Sequence, residues 1–350
     1  MSLLSQKSIV IATCKPSGVQ PWDPSSIKEG IAGAEEAVIY LAQAFAKIGF
    51  RVVVVGDPPA LSPYRLPNAN PRFISSNEEG GELFDIAISW RMPAIAKMLQ
   101  SRARKVYFWP HDICFRPIDE KKVEGFDDVL WLSSWQRSQW ISLCPGFATF
   151  TKIFGNGIEA SQFKEVKERE NPYSCIYGSN YARGLDLLLD VWPEVKGKFP
   201  AATLDIYYGR RHWGLLTKEK EEQLLHKLDE VAGLDIFERG LVGHEELNRA
   251  YEKASLWTYP CILPETFCIT ALRAQLAGAI PVIIKGSALK ETVRFGYACE
   301  KQEEYLTTLL QAMQEVKNST LAERKMMGNF VLQEFTWEKL ALKMKALFEE

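Results

Sequence analysis

Short apolar runs rich in valine and isoleucine alternate with amphipathic helical patterns along this chain. Residues 8–14 read Ser-Ile-Val-Ile-Ala-Thr-Cys, and residues 51–55 include four consecutive valines. Between these two runs, Leu41, Phe45 and Ile48 fall on one stripe of a helix. Apolar strands separated by helices are typical of parallel sheets that are covered by helices on both faces. The sequence therefore predicts an α/β fold.

The same alternation begins again in the second half of the chain. An apolar strand is predicted at 173–178, a helix at 185–199 and further strands at 202–209 and 255–260. The charged stretch 164–171 precedes them and is typical of a linker. Because 350 residues are enough for about two domains, we expect two α/β domains.

The first half contains further predicted strands at 84–90, 105–109, 128–133 and 148–154. His111 follows the strand at 105–109 after a single proline, and Asp112 is next to it. Open α/β sheets place ligand-binding groups at the carboxyl ends of their strands. A lone histidine is also often an ordinary polar residue of the structure, so both interpretations of His111 stay open.

Composition argues against several classes of protein. The net charge of −2 gives no reason to expect nucleic acid as the main partner. The seven cysteines are scattered, odd in number and without Cys-x-x-Cys spacing, so neither a disulfide framework nor a zinc site is predicted. The apolar run near the N-terminus is too short for a secretory signal, and no stretch approaches about 18 uninterrupted apolar residues. We therefore expect a cytoplasmic protein.

The strand–helix–strand pattern at residues 8–56 has to be compared with dinucleotide-binding dehydrogenases. Their fingerprint has three glycines in Gly-x-Gly-x-x-Gly order directly after the first strand. Here a long loop separates the strand from Gly30 and Gly33, and a third glycine of that pattern is absent. The nicotinamide interpretation is therefore rejected.

Residues 264–282 combine an acidic residue, a helix start and a buried strand. The chain turns at Pro264-Glu265, and a helix is predicted to begin near Phe267. Its first backbone N–H groups have no partner within the helix and can bind a phosphate, while Glu265 can bind a hydroxyl-rich group. The simpler alternative is an ordinary strand–helix unit in which the charge of Glu265 favours the helix N-terminus.

This segment resembles the signature of glycosyltransferase family 4 (glycosyl transferases group 1), whose members are retaining enzymes of the GT-B type. In that signature, a Glu in a Pro-Glu-x-Phe-Gly-like turn is followed after seven residues by a second Glu, then by Ala and Gly-x-Pro-Val. Glu265 matches the first Glu, whereas Arg273 stands at the second position. Because arginine cannot accept hydrogen bonds, we expect Arg273 to serve a phosphate group or to point away as a surface residue.

Other passages carry the same resemblance. The Gly30-x-x-Gly33-Ala-Glu arrangement is similar to the family's Gly-Gly-x-Glu loop. A loop that is made flexible by glycines and enters a helix explains it equally well. Arg183 stands at the Lys of the family's Arg…Lys-Gly-Leu segment, and Ser179 stands where the first Arg is expected. Residues 240–247 resemble the loop and helix start that hold the nucleotide base.

The resemblance implies an α/β protein of GT-B architecture, in which two Rossmann-like parallel-sheet domains face a central cleft. The acceptor domain is expected at 1–160 and the nucleotide-sugar donor domain at 161–330. Residues 331–350 include a Trp-Glu helix like the one that, in the family, packs back on the N-terminal domain.

The resemblance also implies the site residues. Catalytic roles fall to His111, Arg183 and Glu265, with His111 contacting the transferred sugar rather than a metal. The residues expected to bind the donor are Gly33, Ser179, Leu241, Val242, Phe267, Cys268, Ile269, Thr270 and Arg273.

The implied activity is transfer of a hexose-type sugar from a nucleotide-diphosphate sugar, UDP or GDP, with retention of anomeric configuration. The acceptor is expected to be a glycan, a lipid-linked molecule or a small molecule, and peripheral contact with a membrane stays open. No cofactor and no metal are expected, because an Asp-x-Asp motif is absent and Arg183 with helix N–H groups can meet the charge of the departing diphosphate. No acid stands at an evident nucleophile position, which favours front-face attack.

Two alternatives remain. A nucleotide-sugar epimerase or phosphorylase can share this plan, but it needs an additional acid/base constellation that the sequence does not show. A non-catalytic nucleotide-sugar-binding protein derived from a transferase is favoured by Arg273 and by the serine at position 179.

Overall fold

The computed structural model describes residues 6–13, 20–78, 80–119, 121, 124–210 and 215–350; Cys14, the last residue of the first predicted strand, lies outside them. The chain divides into two compact units. Unit 1 is formed by the described parts of Met1–Ile27, Ile31–Glu159 and Phe335–Glu350. Unit 2 is formed by those of Lys28–Gly30 and Ala160–Glu334.

Unit 1 contains a six-stranded parallel sheet in the order β3-β2-β1-β4-β5-β6. The strands are β1 Ser8–Ala12, β2 Arg51–Gly56, β3 Arg72–Ser75, β4 Phe84–Trp90, β5 Ala103–Trp109 and β6 Asp128–Val129. The helices of unit 1 ahead of residue 160 are α1 Gly33–Lys47, α2 Ala96–Gln100 and α3 Ser134–Leu143.

The central strand β1 shows why the apolar runs became a parallel sheet. All five of its residues are buried, and Val10 lies beside Val53 of β2 on one side and Ala87 of β4 on the other. A strand with a neighbour on each edge and cover on both faces has no solvent-exposed side, so it reads as a continuous apolar run.

Unit 2 repeats this plan in the order β12-β11-β10-β7-β8-β9, again with parallel pairs. Its strands are β7 Ser174–Gly178, β8 Thr203–Tyr207, β9 Ile236–Gly240, β10 Leu256–Tyr259, β11 Ile280–Ile284 and β12 Tyr297–Cys299. Its helices are α4 Leu185–Lys198, α5 Lys218–Val231, α6 His244–Lys253, α7 Ile269–Ala277, α8 Leu289–Thr292, α9 Tyr305–Glu315 and α10 Leu321–Glu334.

The last helix, α11 Trp337–Glu349, belongs to unit 1. The ring of Phe348 lies 4.7 Å from the ring of Tyr107 and 5.8 Å from that of Phe45. At the other end of α11, a Cβ added to Gly157 would lie only 2.6 Å from the backbone nitrogen of Trp337. The Asn156-Gly157 turn therefore needs glycine because the start of α11 packs directly on it.

The predicted strand at 148–154 was wrong. Pro145–Thr149 forms a 3₁₀ helix instead, and only Ile153 makes a single bridge to Trp131. Phe147 is fully buried, with its ring 5.4 Å from that of Trp140 and 5.9 Å from that of Trp131. Packing of this aromatic cluster decides the local structure, which the apolar character of the run alone could not show.

In both sheets the strand order reverses beside the first strand of the unit. The reversal lies between β1 and β4 in unit 1 and between β7 and β10 in unit 2. At such a point the following loops leave to opposite sides, and open α/β sheets bind ligands at the carboxyl ends of these strands. Each unit thus has one position that its topology favours for a site.

Candidate functional site

In unit 2, the topology brings Arg183 and Glu265 together. Arg183 follows β7 and Glu265 follows β10, and the two strands are neighbours at the point of reversal. The Arg183 Nη1 lies 2.9 Å from Glu265 Oε1, and the two side chains are 26% and 10% exposed. An ion pair that is mostly buried and still reachable from solvent therefore occupies the favoured position of this sheet.

The loop after β7 is built to hold Arg183 in place. Asn180 is buried, and its side-chain oxygen accepts a hydrogen bond from the Ala182 N–H at 2.9 Å. The Arg183 N–H donates to the Asn180 carbonyl oxygen, also at 2.9 Å. Gly184 then takes φ +93°, a left-handed conformation that glycine adopts readily, and α4 begins at the next residue.

Glu265 is fixed through both its backbone and its side chain. Its N–H donates to the Ser287 hydroxyl at 2.8 Å, and its carbonyl oxygen accepts from the Ala288 N–H at 3.2 Å. The buried Tyr259 hydroxyl donates to Oε1, the same oxygen that meets Arg183. Within the part of the chain that the structure describes, Oε2 has no hydrogen-bond partner, so it is the oxygen left to meet a ligand.

The neighbours of this pair stay uncharged at neutral pH. Burial, with a further contribution from Glu265, raises the pKa of the Cys261 thiol to about 11 and those of Cys268 and Tyr259 well above their usual values. Burial alone would lower the pKa of Arg183, but the attraction of Glu265 together with smaller contributions from Tyr259, Cys261 and Cys268 outweighs it, and the pKa is raised. Arg183 is therefore firmly cationic beside the carboxylate.

The helix that follows Glu265 begins later than predicted, at Ile269. Cys268 is its N-cap, with φ +77° and ψ 83°, and no side chain caps the helix. The resembled signature has glycine here, and the left-handed backbone shows why, since a side chain at this φ is strained. The first N–H groups of α7, those of Ile269 and Thr270, have no acceptor within the helix.

The other residues predicted to bind a donor take different positions in unit 2. The Ser179 hydroxyl lies 3.4 Å from the Tyr259 hydroxyl and thus belongs to the same group. Leu241 and Val242 are half-buried in the turn between β9 and α6. The side chains of Phe267 and Ile269 are buried, so their backbone rather than their side chains would have to meet a ligand.

Arg273 is not a surface residue, contrary to one of the two expectations for it. It is 3% exposed, and its Nη1 donates to the Asn248 side-chain oxygen of α6. The Asn248 Nδ2 in turn donates to Gln162 Oε1 at 3.2 Å. The guanidinium thus links α7 to α6 inside unit 2.

Two of the predicted residues, Gly33 and His111, lie in unit 1. Gly33 is the first residue of α1. His111 is 8% exposed, with its ring edge-on to Trp109 at 4.3 Å and 5.8 Å from Trp90. Burial, reinforced by the charge of Arg91, holds the pKa of His111 well below its usual value. The imidazole is therefore neutral at physiological pH.

An ion cluster that was not predicted from the sequence lies at the reversal point of unit 1. Arg91, the residue after β4, takes φ +66° and lies 4.8 Å from the ring centre of Trp90. Its Nε donates to Asp112 Oδ2 at 2.7 Å, and its Nη1 lies 3.8 Å from Oε1 of Glu35 on α1. Burial raises the pKa of Glu35, an effect only partly offset by Arg91.

The signal for Arg91 was present in the sequence. It directly follows a predicted apolar strand, the same position in its unit that pointed to His111. Tyr259 carried no such signal, because it is the last residue of an apolar strand and its contact with Glu265 depends on the turn between them.

Two features are absent from the described ranges. No group of three or more His, Cys, Asp or Glu side chains is placed to hold a metal ion. No helix among these residues is long and apolar enough to cross a membrane.

Comparison with known proteins shows which solved structures the chain resembles. No protein-family model and no curated protein sequence matches the chain. Sucrose-phosphate synthase from Thermosynechococcus elongatus superposes with a TM-score of 0.73 at 14% identity, over 98% of both chains. HepE from Anabaena, solved in complex with UDP-glucose, gives 0.71 at 14% identity over 98% of this chain and 99% of its own.

A third structure agrees with these two. The pneumococcal O-GlcNAc transferase GtfA, solved in complex with UDP and GlcNAc, superposes with a TM-score of 0.69 at 12% identity, over 99% of both chains. These structural neighbours are GT-B glycosyltransferases, and the two six-stranded parallel sheets match theirs. The chain therefore has the GT-B fold, as the sequence predicted.

Proposed function

We propose that this protein is a glycosyltransferase that moves a hexose-type sugar from a UDP- or GDP-sugar to a hydroxyl-bearing acceptor, with retention of anomeric configuration. The observation that carries the proposal is the Arg183–Glu265 pair at the reversal point of unit 2, ahead of an uncapped helix N-terminus. The fold supports it, and two of its solved neighbours hold UDP or a UDP-sugar.

The two charged residues suit the two ends of such a donor. Breaking a sugar–phosphate bond builds negative charge on the departing nucleotide diphosphate, and Arg183 with the first N–H groups of α7 would stabilise that charge. Glu265 Oε2 would accept a hydrogen bond from a sugar hydroxyl. Because Arg183 supplies the cation, the reaction as proposed needs no metal.

Retention is proposed through front-face attack. The departing phosphate would accept the acceptor's proton while Arg183 holds the phosphate in place. Neutral His111 of unit 1 is assigned a hydrogen bond to the transferred sugar, a role that fits an uncharged imidazole.

Donor binding is the first test. Thermal unfolding is measured with UDP, GDP, ADP and TDP and with their glucose derivatives, since a ligand at 100 times its Kd stabilises the folded protein by about 2.7 kcal/mol. We expect a shift with UDP or GDP and their sugars, and no shift with any nucleotide would overturn the proposal.

Turnover is the second test. Release of radiolabelled sugar from the bound donor, with and without a panel of glycan and lipid acceptors, should be lost in Glu265→Ala and Arg183→Met while both variants remain folded. Donor binding without any turnover would instead favour the non-catalytic binding protein.

A further inference from the structure

Tyr259, whose hydroxyl donates to Glu265, packs against two further fully buried aromatic residues. The rings of Tyr259 and Trp257 stack at 4.9 Å with an angle of 18° between their planes, and the ring of Tyr177 lies 6.0 Å from that of Tyr259. All three side chains are 0% exposed. The packed rings therefore hold the Tyr259 side chain, and with it the hydroxyl oxygen, beside the carboxylate.

The Tyr259 hydroxyl connects two sides of the candidate site. It donates to Glu265 Oε1 and lies 3.4 Å from the Ser179 hydroxyl. Arg183 meets the same Oε1 from another side, at 2.9 Å. The carboxylate is thus held at one oxygen by a neutral donor and a cation, which fixes the direction in which Oε2 points.

We propose that Tyr259 is a positioning residue that sets the Glu265 carboxylate so that Oε2 meets a hydroxyl of the donor's sugar. This inference rests on the proposed function, and it adds a separate statement about which part of the donor depends on Tyr259. The nucleotide and its phosphates face Arg183 and the start of α7. Only the sugar depends on the orientation of Glu265.

The properties of a tyrosine suit this task better than those of a second cation. Its hydroxyl remains protonated, because burial and the charge of Glu265 keep its pKa well above the usual value. It donates one hydrogen bond and adds no second positive charge beside Glu265.

The test compares Tyr259→Phe with the wild type in titrations with UDP and UDP-glucose and, in parallel, with GDP and GDP-mannose. Phenylalanine keeps the stacked ring and removes only the hydroxyl. We expect the affinity for the nucleotide sugar to fall about tenfold or more, the usual weight of a hydrogen bond to a charged group. The affinity for the free nucleotide should change less than about twofold, since no sugar is present to report on Glu265.

A double-mutant cycle shows whether Tyr259 acts through Glu265. Glu265→Gln combined with Tyr259→Phe should bind the nucleotide sugar no worse than Glu265→Gln alone. Tyr251→Phe is the matched control, because Tyr251 is equally buried in unit 2 and its hydroxyl has no partner among the described residues. It should leave both affinities unchanged.

Three outcomes would overturn the inference. Equal weakening of nucleotide and nucleotide-sugar binding would show a general structural effect, and unchanged binding in Tyr259→Phe would show that the hydroxyl is dispensable. Full additivity with Glu265→Gln would show that Tyr259 acts elsewhere. If the wild type binds neither donor pair, the proposed function fails first and the inference falls with it.

Discussion

Gly184 lies against Pro260 so closely that an added Cβ would sit 2.1 Å from the Pro260 carbonyl oxygen. Gly184 ends the loop that carries Arg183, and Pro260 begins the segment that leads to Glu265. This close approach of the two backbones joins the loops at the reversal point of unit 2. The spacing between the two charged residues therefore depends on a position without a side chain.

Gly184→Ala should separate the two loops. The left-handed conformation alone costs about 1–2 kcal/mol for a residue with a Cβ, and the clash with Pro260 adds to it. We expect a lower free energy of unfolding in urea and loss of donor binding. Gly197→Ala is the control, because Gly197 lies in α4 with nothing within 4 Å of the added Cβ, and alanine there should stabilise by up to about 1 kcal/mol. Equal effects of the two changes would contradict this account.

His111 should make the stability of the protein depend on pH below neutrality. Burial and the charge of Arg91 hold its folded-state pKa well below 6.5. Below about pH 6.5 the unfolded chain therefore binds a proton at His111 that the folded chain does not bind. The stabilising effect is fully present above about pH 6.5 and is lost as the pH falls from there. A glutamine side chain does not titrate, so the free energy of unfolding of His111→Gln should fall less over the same pH range.

Urea unfolding of wild type and His111→Gln at pH 7.5 and 5.5 measures this difference directly. The difference in free energy of unfolding between the two proteins should shift by about 1 kcal/mol in favour of His111→Gln when the pH falls from 7.5 to 5.5. His226→Gln is the control, since the His226 side chain is 76% exposed. Parallel pH dependence of the wild type and His111→Gln would show that His111 titrates normally when folded.

The periodic spacing of apolar residues was enough to predict helices that have one apolar face. Helix α4 was predicted at 185–199 and spans Leu185–Lys198, because an apolar stripe that includes Leu188 and Trp192 defines an amphipathic helix without help from the rest of the chain. The start of α7 was misplaced by about two residues. Its N-terminus depends on the left-handed Cys268, whose conformation follows from the turn after Glu265 and not from its own residue type.

The site was less predictable than the fold, for a physical reason. The ion pair of Arg183 with Glu265 joins residues 82 positions apart. It exists because the strand order of the sheet reverses between β7 and β10 and makes these two strands neighbours. A single sequence records which residues follow strands, but not which strands pair. The contacts of Arg91 and Tyr259 depend on such pairing or on turn geometry and were missed.

Replacing Arg273 with the glutamate of the resembled signature should not create a better donor site. Arg273 is buried and donates to Asn248, so Arg273→Glu would set a carboxylate against the oxygen that now accepts this bond. We expect a loss of at least about 2 kcal/mol in the free energy of unfolding and no gain in affinity for UDP or GDP. Arg249→Glu on the exposed side of α6 should cost under about 0.5 kcal/mol. Tighter nucleotide binding by a stable Arg273→Glu variant would contradict the structural role.

Arg324 should be among the most sensitive positions far from the site. It is 3% exposed, and its Nη1 donates to the carbonyl oxygens of Gly278 at 2.7 Å and Ser255 at 3.1 Å, the residues just before β11 and β10. Burial lowers the pKa of Arg324, yet the guanidinium remains cationic at neutral pH. Arg324→Met therefore removes two charge-assisted hydrogen bonds and leaves both carbonyl groups without this donor. We expect a loss of about 2–4 kcal/mol in urea unfolding. The next residue gives the control, because Lys325 pairs with the exposed Glu165 and Lys325→Met should cost under about 1 kcal/mol. Similar losses in the two variants would mean that α10 is held by its apolar face alone.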